Sequence, residues 1–151
     1  MKQTYIFKPV ITLPDTNYTD GDIIGQPMPF AYPVGKTRHP FEIVSAISRD
    51  KANRGPAVYL LVFRKALVQA QTDNSVFVWS DEDFNNWIGA IQVDNTDYLT
   101  VASRQGAFPG NIGQIAGPID PTAYLVVIAK DAYNPAAADD LQIEIGVELC
   151  K

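Results

Sequence analysis

The chain is expected to be all-β: an antiparallel β-sandwich of jelly-roll type with one short helix. Three observations predict this. Residues 141–149, Leu-Gln-Ile-Glu-Ile-Gly-Val-Glu-Leu, are apolar at every odd position and polar or Gly at every even one. A period of two builds one apolar face on a strand and none on a helix. Two further runs, 57–63 (Ala-Val-Tyr-Leu-Leu-Val-Phe) and 124–129 (Tyr-Leu-Val-Val-Ile-Ala), are apolar on both faces. Such runs suit central strands covered on each side. Finally, 10 Gly and 11 Pro break the chain into short pieces with no βαβ rhythm, the pattern of a sandwich rather than a parallel sheet.

The elements follow in order. Residues 3–11 read as a strand that contains Pro9, which lies at a sheet edge or bends there because proline donates no ladder hydrogen bond. Residues 13–22 are polar and turn-rich, 23–32 are short extended pieces, and 33–40 form a loop. A strand is expected at 41–48, a polar turn at 49–56 and a short strand at 76–79. The one helix signal comes next. Ser80 can cap, Asp83 sits three residues on, and Asp81 and Glu82 favour the positive end of the first turn. Phe84, Trp87 and Ile88 then make an apolar stripe. Residues 90–93 and 98–102 read as strands joined by the Asp94-Asn95-Thr96-Asp97 turn. Residues 106–121 and 130–140 read as loops. That makes about eight strands in a single domain over residues 1–151, with no internal repeat.

Bulk properties narrow the function. A domain of 151 residues buries roughly 70% of its unfolded surface and needs no staple. Net charge is −5 and the sequence pI is about 4.7. The 12 basic residues are scattered in runs of two at most, which argues against nucleic acid, whose phosphates need clustered Lys and Arg. The lone Cys150 implies no disulfide framework. No apolar run reaches signal-peptide or membrane-span length, so the expected setting is cytosolic, with no membrane partner.

Reactive chemistry finds little to work with. His39 is the only histidine, and no serine or cysteine stands in the strand-turn-helix setting of a nucleophile. One Cys and one His cannot build a zinc site. Asp15, Asp20 and Asp22 offer oxygen but not the spacing of a calcium loop. Residues 108–113 lack the phosphate-loop spacing and lysine. No catalytic residue, metal or cofactor is therefore expected, and the chain is not read as an enzyme. Trp79, Trp87, Tyr59, Phe63, Phe77, Phe84 and Tyr124 are expected in the core. Tyr5, Phe30, Tyr32, Phe108 and Tyr133 stand in or beside loops, where an exposed ring can anchor a partner or stack on a sugar.

A resemblance adds a function. Tyr18-Thr19-Asp20-Gly21-Asp22-Ile23-Ile24-Gly25, then strands near 43–48 and 58–63, then Thr72-Asp73-Asn74 and Ser80-Asp81-Glu82-Asp83, follow one another in an order that resembles small β-rich virion structural proteins of tailed bacteriophages. Those carry a Tyr-Thr-x-Gly-Asp-x-Ile/Val-Gly segment, an apolar strand, Thr-Asp-Asn and an acidic helix start. The likeness spans roughly residues 17–88. It implies a capsid decoration (cement) protein: made in the host cytoplasm, carried on the capsid surface, bound to the major capsid protein, and often a trimer at local three-fold axes. Residues 1–10 would supply an edge strand for augmenting a neighbour's sheet. Tyr5, Phe7, Phe30, Tyr32, Phe108 and Tyr133 are the candidate partner-binding residues. The rival readings are a carbohydrate-binding module using Tyr32, Phe108 or Tyr133 as platforms, another accessory virion component (neck, tail or fibre), and a small hydrolase with no identifiable site.

Overall fold

A computed structural model describes residues 3–14, 17–29, 41–102, 104–107, 109, 116–117 and 123–149. Ten strands and one α-helix occur among them: β1 (Gln3–Phe7), β2 (Met28–Pro29), β3 (Phe41–Asp50), β4 (Val58–Phe63), α1 (Asp81–Asn86), β5 (Trp87–Val93), β6 (Tyr98–Val101), β7 (Arg104–Ala107), β8 (Ala116–Gly117), β9 (Tyr124–Ala129) and β10 (Leu141–Leu149). A 3-10 turn, Asn95–Asp97, joins β5 to β6. All pairings between strands are antiparallel.

Two sheets result. One runs β1-β10-β3-β7-β6, with β8 also paired to β3; the other runs β2-β9-β4-β5. With the small β8 and the edge hairpin strand β6 set aside, eight strands remain. In chain order they are arranged first-eighth-third-sixth in one sheet and second-seventh-fourth-fifth in the other. This is the strand order of a jelly roll, two Greek keys folded face to face.

The period-two reading of β10 holds in detail. Leu141, Ile143, Ile145 and Val147 are buried between the sheets. Glu144, on the opposite face, lies 2.8 Å from Lys8 and also pairs with Arg49. Facing β10's apolar row across the core are Val58, Leu60 and Val62 of β4, Leu125 and Val127 of β9, and Ile91 and Val93 of β5. The second face of β4 and β9 is also covered. Leu61, Phe63, Val126 and Ile128 form a separate cluster with Ile23. That is why these two strands carry no polar alternation. The strand expected over residues 3–11 ends at Phe7, so Pro9 lies beyond β1 and not inside it; β1 is nonetheless an edge strand.

Four further expectations need correction. Residues 76–79 do not form a strand; only Val76 makes a bridge, to Asp22. The strands on either side of the 94–97 turn are not neighbours in one sheet. That turn, closed by reciprocal Asp94 and Asp97 bonds to backbone N–H groups, carries the chain from one sheet to the other. The loop expected from residue 106 instead begins inside β7, which pairs with both β3 and β6. Finally, the apolar stripe of the helix does not form, because the helix ends at Asn86 and Trp87 opens β5.

β3 and β10 slip register by one residue at Gly146/Val147, where Ser45 faces Gly146, Ile43 faces Val147 and Val44 has no partner. A Cβ on Gly146 would stand 2.1 Å from Ser45 Oγ. Gly146→Ala is therefore expected to lower the unfolding free energy by about 2 kcal/mol through overpacking. Ser45 Cβ would lie at 3.4 Å, tight but tolerable, so Gly146→Ala combined with Ser45→Ala should recover most of the loss in chemical denaturation. No recovery would mean the clash is with backbone.

Candidate functional site: an exposed aromatic surface

The most distinctive surface lies outside the second sheet, over β4 and β5. It is built by α1 and the segment before it. Ser80 Oγ accepts from the Asp83 N–H at 3.0 Å, as the capping signal predicts. The Asp83 carboxylate is buried and turns away from its own helix. It accepts from the backbone N–H groups of Val68 (2.8 Å) and Gln69 (3.0 Å), which pins the segment after β4 against α1. Gln71 then uses its side-chain amide as a substitute strand. It donates to Val78 O at 2.7 Å and accepts from Val78 N–H at 3.2 Å. Residues 76–79 thus lie extended without joining a sheet.

This scaffold presents a run of rings. Phe63 is fully buried and anchors the run, with Phe77 at 6.2 Å and Trp79 at 5.9 Å between centroids. Trp79 touches Phe77 edge-on at 4.8 Å, Phe84 at 5.5 Å and Trp87 at 5.5 Å. Phe84 and Trp87 are 6.1 Å apart. The outer rings reach water: Phe84 is 58% exposed, Trp79 42% and Trp87 36%. Val68, Val76 and Val78, in the segments that lead to α1, are exposed too. The Trp87 indole N–H is already used, donating to Gly89 O at 2.8 Å. The expectation that Trp79, Phe84 and Trp87 are core residues is thus overturned. Asp83 occupies the inward face of α1, which turns Phe84 outward.

Three of the six candidate partner-binding residues are described, and Tyr133 stands apart from the other two in a loop of its own. Tyr5 and Phe7 lie half-buried on β1, packed against the main core. Tyr133 is 3% exposed, stacked on Tyr18 at 6.2 Å. It is a core residue and offers no platform to a partner or a sugar, because the bridge to Tyr18 folds its loop inward. Phe30, Tyr32 and Phe108, like His39, Asp15 and Cys150, lie outside the described residues.

Two segments of the quoted motif, some fifty residues apart, close on each other. Asp73 Oδ1 accepts from the Tyr18 hydroxyl (3.0 Å) and from Gly25 N–H (2.7 Å). Ile23 N–H donates to Ser75 O at 2.9 Å. The Asp22 carboxylate, considered above as a cation ligand, accepts from Thr19 N–H and Thr19 Oγ. These aspartates hold loops. Asp140 does the same with the N–H groups of Ala136 and Ala137.

The displaced pKa values follow burial in the core and ion pairs on the surface. Burial raises the hydroxyls of Tyr18, Tyr98 and Tyr133. On the surface, the hydrogen bond from Lys130 lowers Asp94, and that from Lys51 lowers Asp139. Among the described residues no three His, Cys, Asp or Glu side chains gather as a metal site, and no helix is long and apolar enough to cross a membrane.

No protein-family model, curated protein or solved structure matches this chain. Its functional reading rests on its own residues.

Proposed function

We propose that this chain is an accessory virion structural protein of a tailed bacteriophage. In this reading it is a capsid decoration protein that binds the major capsid protein on the outer shell and strengthens it by contact alone. The observation that carries the reading is the closure of Tyr18 and Gly25 onto Asp73. The residues most like those of virion proteins are occupied in locking loops onto a rigid jelly roll, and such a body suits a part whose work is shape. A jelly roll is common among viral and sugar-binding proteins, which is fold-level analogy and weaker support. Binding only to the assembled lattice stabilises that lattice by mass action.

Deleting the gene is expected to leave particles that rupture sooner under heat or low ionic strength. The wild-type polypeptide should be found in purified particles by mass spectrometry. Unchanged particle survival, together with absence of the chain from particles, would remove this reading.

A further inference from the structure

We propose that the aromatic surface around α1 is the interface of a two-fold symmetric homodimer, in which two copies of α1 lie antiparallel with Phe84 near the axis. Trp79, Phe84 and Trp87 leave about 300 Å² of ring surface in water, taking roughly 150–250 Å² per whole ring. That is the size of the largest apolar patch on a typical monomer, which is often functional.

The ring geometry favours protein over sugar. The planes of Trp79, Phe84 and Trp87 are inclined to one another by 49–73°. They form a faceted knob with no shared flat face on which a pyranose could stack. A knob of mixed Trp and Phe is the composition of an interface centre.

The flanking charges select the occupant. Asp81 opens α1. Arg64 sits at the other end, where its backbone N–H donates to Asn86 O at 2.9 Å. Both side chains are exposed, and neither makes an ion pair among the described residues. Their neighbours Lys65 and Glu82 are already paired with each other at 2.7 Å. One free anion and one free cation thus stand at opposite ends of a short apolar knob. A two-fold axis through the middle places each copy's Asp81 against the other's Arg64, twice. Isologous contact is the commonest way for a chain to meet itself. The trimer implied by the virion resemblance uses a head-to-tail contact, in which this reciprocity is lost.

The area is below the roughly 800 Å² per partner of a stable complex, so the dimer is a weak one. Sedimentation velocity on the full chain, over roughly a thousandfold range of concentration reaching millimolar, covers the affinities such a contact supports. The expected result is a reversible monomer–dimer equilibrium. Phe84→Ser should weaken it by about tenfold or more. Arg64→Asp and Asp81→Arg should each weaken it, because each sets like charges face to face at two places. The double variant carrying both changes should dimerise within about threefold of wild type, since the attraction is restored with its sign exchanged. Circular dichroism and thermal midpoints establish that each variant is folded. A monomer at every concentration overturns the proposal, as it would if the knob docks on a different protein. So does a trimer, or a folded double variant that fails to recover.

Discussion

Replacing Asp50 with alanine is expected to lower the unfolding free energy by about 4 kcal/mol, the combined cost of unpairing several buried or half-buried donors at 1–3 kcal/mol each. Asp50 is the last residue of β3 and is almost fully buried. Its carboxylate accepts from the backbone N–H of Ala52 at 2.9 Å, of Gly55 at 2.6 Å, and of Arg54. One side chain thus organises the whole turn from β3 to β4. The turn visits left-handed backbone at Asn53 (φ 57°) and Gly55 (φ 57°), so it has no regular hydrogen-bond pattern to fall back on. Gly55 is buried, whereas Ala52 and Arg54 keep some access to water, which is why the loss falls short of three full penalties. For a domain of this size the change corresponds to a melting point lower by roughly 10 °C. Asp50→Asn retains one acceptor oxygen and should lose about half as much. Urea unfolding of the three proteins measures the series. A loss under about 1 kcal/mol for the alanine variant would show that the turn finds other partners, because that is less than the cost of one unsatisfied buried N–H.

Asp50 also marks where sequence reading stops. The strands β4, β9 and β10 are legible because their signal is periodic burial, which every residue in the run repeats. The edge position of β1 is expected from a proline inside the strand, but Pro9 lies outside it and instead marks where the strand has already ended. The roles of Asp22, Asp50, Asp73, Asp83 and Asp140 are not legible. In sequence each is one more turn carboxylate, indistinguishable from a solvated one. What defines it is a set of N–H groups brought close by the rest of the fold, as with Val68 and Gln69 for Asp83.

β7 was hidden for a related reason. Arg-Gln-Gly-Ala has little intrinsic preference for a strand, and it becomes one because β3 and β6 offer ladders on both sides. Val76-Phe77-Val78-Trp79 shows the converse, strand-like composition without a strand. Gln71 satisfies the backbone of Val78 and leaves the rings free to turn outward. The aromatic surface follows from the same substitution. Of the four rings within residues 77–87, Phe77 stays packed on Phe63, whereas Phe84 turns outward because Asp83 takes the inward face of α1.

Tyr18→Ala is expected to cost about 4 kcal/mol, in the range for deleting a large buried side chain and leaving a cavity. Tyr18 is fully buried, and its ring lies against Tyr133 with planes 17° apart. Its backbone exchanges both hydrogen bonds with Tyr133, at 2.8 and 3.0 Å, so the cavity opens where two long loops are joined. The share of that cost owed to the hydroxyl can be separated with phenylalanine. Tyr18→Phe removes the bond to Asp73 and should cost about 1–2 kcal/mol, since a bond to a charged acceptor is stronger than a neutral one. Asp73 keeps its bond from Gly25 N–H and is only half-buried, so the carboxylate is not stranded. Tyr133→Phe is the control. Its hydroxyl is buried and has no hydrogen-bond partner among the described residues, so losing it should be neutral or slightly stabilising, because the donor's desolvation is no longer borne. Paired denaturant curves for the two phenylalanine variants decide the matter. Equal losses at both positions would mean that the Tyr18–Asp73 bond contributes nothing beyond ring packing, and the closure of the two motif segments would then rest on backbone contacts alone.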